Sequence, residues 1–283
     1  MRHSPIVIRT AITFLILALG VVSACSPQEI GPTVVDTETL PAPTDAILHP
    51  TATITSAPTP AVSAEPGAAS ATLDVSGVAA GVTSQVVEAV PPSPDAPWWE
   101  AVPQHTLLTL QGYPIAGHLM QPQIFIYPVE GLNENEFAGS EVDRLATWLQ
   151  NQQTGESMPY LPLYNAAQVF HAQSKILDFK NGGGVRFLTQ YDQAPLPINN
   201  HELHYTFQGL TRDGKYYVAV VLPVTLPDLP ADETVTEGQA PDFISKFPTY
   251  LTETLDMLNQ QPGSNFTPDL SALDSMIQSL EIE

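Results

Sequence analysis

The feature that most limits this chain is where its aromatic side chains are missing. Residues 27–97 contain no Phe, Tyr or Trp, although the whole chain of 283 residues has 10 Phe, 9 Tyr and 3 Trp. Aromatic side chains supply much of the area that a core buries. The expectation is therefore one folded domain, residues 98–283, large enough to bury a real core. Before it, residues 25–97 read as a stalk. PAPTDAILHPTATITSAPTPAVSAEPGAASATLDVSG is Pro, Ala, Thr and Ser with few charges. Such a stretch has too little apolar surface to offset the entropy of ordering it. GVAAGVTSQVVEAV, residues 77–90, is its least stalk-like part and suits a short helix.

Charge narrows the choice of partners. The chain carries 9 Lys and Arg against 30 Asp and Glu, a formal net charge of −21. There is no Lys or Arg between Arg9 and Arg144. Binding to a phosphate backbone needs basic side chains, so nucleic acid is not an expected partner. Adsorption to anionic lipid is opposed for the same reason.

The first residues explain the single cysteine. MRHSPIVIR is a short positive start, AITFLILALGVV an apolar run, and SAC follows. The run is too short to span a bilayer, which takes about 20 apolar residues. It has the three parts of a secretory signal. Val22-Ser23-Ala24-Cys25 resembles the lipobox of bacterial lipoproteins. The resemblance implies a signal peptide of residues 1–24, cleavage between Ala24 and Cys25, and diacylglycerol on the Cys25 thiol. It also implies a protein held by lipid on the extracytoplasmic face of the cell membrane. A cysteine taken up by lipid leaves no unpaired thiol in an oxidising compartment.

Within residues 98–283 the hydrophobic periods alternate between two and 3.6. Thr106–Leu110, Gln123–Tyr127, Gln168–Phe179, Val185–Tyr191, Leu203–Gln208 and Tyr216–Val224 have the character of strands. Asn181-Gly182 and Asp213-Gly214 are hairpin turns. A helix is expected from Ser140, with Val142, Leu145, Ala146 and Leu149 on one face and a stop at Gly155. A second is expected over Phe243–Leu258, interrupted near Pro248. A last helix opens at Thr267-Pro268-Asp269 and buries Leu270, Leu273, Ile277 and Leu280. The fold class is α+β: an antiparallel sheet of about five or six strands with helices on one face.

The segment NGGGVRFLTQYDQAPLPINNHELHYTFQGLTRDGKYYVAVVLPV is similar to one in uncharacterised stalked bacterial lipoproteins. That resemblance spans roughly Trp98 to the end of the sequence and supplies no catalytic residue. More distantly, hairpins ending GKYYVAVVLPV and the closing helix LDSMIQSLEI resemble the Mog1/PsbP-like α/β sandwich. Members of that fold are mostly binding or assembly factors. Fold analogy sets an expectation only.

Chemistry-bearing motifs are sparse. His201-Glu202-Leu203-His204 lacks the spacing of HExxH, and on a strand positions 201 and 204 face opposite ways. Asp228, Asp232, Glu233 and Glu237 lack the order of a calcium loop. There is no GxSxG elbow, and Asn181-Gly182-Gly183-Gly184 lacks the Lys and Ser/Thr of a phosphate loop. No metal, cofactor or catalytic residue is expected. One pattern points to binding. Lys175, Lys180, Arg186, Arg212 and Lys215 fall within residues 163–225, which hold only Asp178, Asp192, Glu202 and Asp213 as acids. Strict alternation places His171, Gln173, Lys175, Arg186, Gln190, His204, Thr206 and Gln208 on the sheet face opposite the core, a possible binding face. The sequence thus leads to a non-enzymatic binding or assembly lipoprotein with a protein partner in the envelope. The alternatives are a hydrolase-like envelope enzyme with a site around His171 and His204, and a surface spacer.

Overall fold

The computed structural model describes residues 69–151, 157–234 and 240–283. The expected cleavage junction Ala24–Cys25, the part of the expected stalk before residue 69, Gly155 and Glu237 lie outside the described residues. In chain order the strands are β1 (Ala71–Thr72), β2 (Gly81–Val87), β3 (His105–Gln111), β4 (Gln123–Pro128), β5 (Ala167–Gln168), β6 (Ala172–Phe179), β7 (Gly182–Thr189), β8 (Tyr191–Asp192), β9 (His204–Thr211), β10 (Tyr216–Pro223) and β11 (Glu281–Ile282). The helices are α1 (Val129–Leu132), α2 (Glu136–Asn151), α3 (Ala240–Gln260) and α4 (Leu270–Ser279). Among the described residues no helix is long and apolar enough to cross a membrane.

The class is α+β. Seven antiparallel strands form the main sheet in the order β2-β3-β4-β10-β9-β7-β6, one or two more than expected. The extra strand is β2, which corrects the domain boundary. Gly81–Val87 pairs along its whole length with β3, from Gly81↔Gln111 to Val87↔His105. GVTSQVV is β-branched, which suits a pleated surface. An edge strand that is largely exposed needs no aromatic side chain, so the aromatic-free stretch still folds. Residues 69–97 therefore belong to the folded part. Ala69 accepts a hydrogen bond from Thr106 Oγ1 at 2.7 Å, and β1 pairs with β11.

Helices cover both faces of the sheet, not one. Strand β10, YYVAVVLP, is buried at all but its first residue. A continuous apolar run of this kind marks a strand packed from both sides. On one face Tyr205, Phe207, Val218 and Val220 meet Leu258 of α3 and Leu270, Leu273 and Ile277 of α4. On the other, Val185, Phe187, Tyr217, Ala219 and Val221 meet Val142 and Leu145 of α2 and a loop carrying Met158, Tyr160 and Leu161. Gly184 and Gly209 are paired in the sheet. The Phe207 ring lies over both, and a methyl at Gly184 would overlap it and the Gln208 carbonyl.

Helix boundaries moved for local reasons. α2 begins at Glu136, because Asn135 rather than Ser140 accepts from its first amides. α3 runs through Pro248 unbroken, tolerating the one backbone donor that proline lacks. At α4 the cap is Asp269, which accepts from Ser271 N at 2.7 Å. Its expected stripe of Leu270, Leu273, Ile277 and Leu280 is buried.

Candidate binding groove

The eight polar residues assigned to one open face do not share one. A β-bulge breaks the alternation of β6. Ala172 pairs with Leu188 and Lys175 with Arg186, so three steps on β6 match two on β7. Gln173 takes the extra place with φ 55°. The bulge sends Lys175 to the α4 side and leaves Ile176 exposed. Gln173 itself caps the end of α3: its Nε2 donates to the carbonyls of Leu258 and Gln261, both at 2.8 Å.

Lys175 and Arg186 are spent on α4. Arg186 Nε donates to Asp274 Oδ1 at 3.0 Å, and Lys175 Nζ lies 2.9 Å from Oδ2. The Tyr205 hydroxyl donates to the same carboxylate at 3.1 Å. Arg186 and Asp274 are both buried, so this is an internal ion network that pins the helix to the sheet.

The remaining polar residues lie mostly under the other cover. Gln208 Oε1 accepts from Leu161 N at 2.9 Å and from the Tyr217 hydroxyl at 2.7 Å. Its Nε2 donates to Leu161 O and to Thr206 Oγ1. His204 Nδ1 donates to the Glu202 carbonyl at 2.9 Å, which leaves Nε2 to accept from the Tyr160 hydroxyl at 2.9 Å. Burial pushes the His204 pKa down to about 4, so the ring is neutral at physiological pH. Gln190 holds the 193–200 loop through Pro197 O and Asn199 N. These side chains satisfy buried backbone groups of covering loops. The expected open binding face is in that respect corrected: Arg186, Gln190, His204, Thr206 and Gln208 are buried. Arg186 is covered by α4, Gln190 by the 193–200 loop, and His204, Thr206 and Gln208 by the loop that carries Met158–Leu161. His171 is partly exposed, with Ser174 Oγ 3.4 Å from its Nδ1.

His201 and His204 occupy different surroundings. His201 Nδ1 is 3.6 Å from Glu233 Oε2, in a polar pocket of about 500 Å³ that also takes in His118 and Asp232. His118 Nε2 donates to Leu203 O, and its Nδ1 accepts from Met120 N. Among the described residues no group of three or more His, Cys, Asp and Glu could hold a metal ion.

The open apolar surface lies elsewhere. Val90, Trp98 and Phe137 are 44%, 43% and 48% exposed. All three line one groove of about 390 Å³, together with Pro91, Pro92, Pro94 and Pro97. A contiguous apolar patch of this sort marks an interaction surface more often than scattered exposed residues do. A smaller apolar pocket of about 110 Å³ shares Val90, Pro91, Pro92 and Ala101 with it and extends it. Glu100, Glu134 and Glu136 stand in the lining of the larger groove, and no Lys or Arg does.

The groove is built to hold its shape. One wall is the loop from Val90 to Val102, closed at its neck by two reciprocal backbone bonds of 2.9 and 3.0 Å. Four prolines within it restrict φ and reduce the freedom lost on binding. A 3₁₀ turn, Trp98–Glu100, ends the wall. The other wall is the start of α2. The Trp98 and Phe137 rings bridge the walls with centroids 4.3 Å apart, and Trp99 meets Trp98 edge-on at 5.5 Å. Asn135 joins the walls by polar contacts. Its Oδ1 accepts from the amides of Phe137 and Ala138, and its Nδ2 reaches the carbonyls of Trp98 and Ala101.

Sequence reasoning passed over this surface because Trp98 was read as the start of the core. The signal was present: PPSPDAPWWE places two tryptophans behind four prolines, in a region with no basic residue before Arg144. Comparison with known protein families, with curated protein sequences and with solved structures finds no match to this chain.

Proposed function

We infer that the chain is an extracytoplasmic lipoprotein, held in the membrane by lipid on Cys25, whose folded α+β part is a non-enzymatic binding module. The groove between the Val90–Val102 loop and the start of α2 is its binding surface. One observation carries this reading: Val90 and Trp98 of the loop and Phe137 of α2, all exposed apolar side chains, converge on a single pre-shaped groove. Five of the eight polar residues that sequence alternation had gathered into a face are buried and bonded inside the molecule. The tether rests on the sequence, whose Val22–Cys25 stretch resembles a lipobox. Residues between Cys25 and the first strand give the folded part reach from the bilayer.

Two measurements test the two halves. Cys25→Ser should abolish incorporation of labelled fatty acid and release the chain from the membrane fraction. Continued labelling would remove the anchor. For the module, Trp98→Ala should weaken retention of its envelope partner about tenfold, since aromatic anchors dominate interfaces. Equal retention by the wild-type and Trp98→Ala chains would move the binding surface away from the groove.

A further inference from the structure

We propose that the groove takes an extended, cationic polypeptide segment with apolar side chains, presented by a protein partner. This rests on the reading of the groove as the binding surface, and adds the chemistry of what fills it.

Charge selects the occupant. Glu100, Glu134 and Glu136 line the groove without a single Lys or Arg among its residues. The nearest base in the fold, Arg144, lines an adjoining pocket that shares Trp98 and is paired there with Glu141. Rim carboxylates around an apolar floor attract a segment that brings Lys or Arg to the edge and apolar groups to the centre. The same charges select against the two nearest competitors. The stalk before residue 69 carries Glu29, Asp36, Glu38, Asp45 and Glu65 and no Lys or Arg after Arg9. A second copy of this chain, docking the same patch on itself, would set the three glutamates against their own images.

Shape selects an extended segment. The groove adjoins the smaller pocket, and Val90, Pro91 and Pro92 line both. Trp98 and Phe137 line the groove, and aromatic-lined grooves are the surfaces on which extended polyproline-like segments dock. An aromatic floor with Trp98 and Phe137 also favours a cation near the ring faces.

The test uses the full chain purified in detergent and three labelled synthetic peptides on one proline-leucine scaffold. One has Lys at the remaining positions, one Gln and one Glu. Fluorescence anisotropy reads the binding. The Lys peptide should bind at least about tenfold more tightly than the Glu peptide, and raising the salt from about 0.05 to 0.3 M should weaken it severalfold. Trp98→Ala should reduce its affinity about tenfold. The combined variant Glu100→Gln, Glu134→Gln, Glu136→Gln should bring the three peptides close together. Glu253→Gln with Asp256→Gln, on α3, should change nothing.

Equal binding of the three peptides, with sensitivity to Trp98→Ala, would overturn the charge assignment and leave the groove as a binding surface. Lys-peptide binding that ignores Trp98→Ala, or falls equally with the α3 variant, would overturn the proposal as general attraction to an acidic protein. Tighter peptide binding after deletion of residues 30–65 would name the stalk as occupant and overturn it. A dimer in sedimentation that Trp98→Ala dissolves would name a second copy and do the same. Binding by none of the peptides would also overturn it.

Discussion

The carboxamide of Asn135 accepts the amide proton of Phe137 at 3.0 Å while its nitrogen lies 3.4 Å from the Trp98 carbonyl. One side chain thus caps α2 and joins the two walls that hold the aromatic pair. Asn135→Asp keeps the acceptor and loses the donor, whereas Asn135→Ala loses both. Asn135→Ala is expected to cost about 1 kcal/mol through the cap and to weaken groove binding. Asn135→Asp should hold stability within about 0.5 kcal/mol and still weaken binding, because the wall is released. Urea unfolding and partner retention, measured on the same two variants, check this. Unchanged binding in both would show that the walls hold their spacing without Asn135.

The buried network around Asp274 makes a stability prediction separate from the groove. Removing one partner of a buried ion pair leaves an uncompensated charge, worth about 3–5 kcal/mol. Asp274→Ala strands Arg186, which is itself buried, and should fall in that range by urea unfolding. Lys175→Ala should cost less than about 1 kcal/mol, because the lysine side chain is half exposed and water screens it. A Lys175→Ala cost as large as that of Asp274→Ala would contradict the assignment of Arg186 as the principal partner.

His204 supplies a pH dependence whose sign is fixed. Its folded pKa is pushed down to about 4 by burial, while the unfolded chain titrates near 6.5. From about pH 6.5 downward the unfolded state takes up a proton that the folded state refuses. Stability therefore declines as pH falls from about 6.5 to 4, by roughly 3 kcal/mol in full. His105 and His118 are shifted down by burial too and act in the same sense. Burial raises Asp192 and Glu202, which opposes the decline at the acid end. Comparing wild type with His204→Asn isolates the ring: the variant should lose distinctly less stability between pH 7 and 5. Parallel profiles would mean that His204 titrates normally.

The first strands make a prediction about boundaries. A chain begun at Trp98 lacks β1 and β2, and with them the seven-residue pairing that covers β3. It is expected to unfold several kcal/mol more readily than a chain begun at residue 69, or to aggregate through the bared edge. Equal stability would return residues 69–97 to the stalk.

These cases also show what a sequence can and cannot reveal here. The stripe on α4 and strand β9 were legible because each follows one period, and β3, β4 and β10 because short apolar, β-branched or aromatic runs end at turn residues. Lys175 was misplaced because a single inserted residue at Gln173 reverses every side chain after it, and nothing local marks a bulge. The second cover was missed for another reason. Polar residues such as His204 and Gln208 read as wet when they are in fact bonded to loops from elsewhere in the chain. The groove as a whole was hidden because Phe137 of α2 meets the Val90–Val102 loop only in three dimensions.

The central claim is that a partner sits in the groove beside Trp98. A photoreactive residue in place of Phe137, in the full chain in its own membranes, tests it most directly. Ile244, exposed and apolar on α3, is the control position. The account predicts a discrete adduct from position 137, lost when Trp98→Ala is added, and none from position 244. No adduct from 137, or the same adducts from both positions, would contradict it.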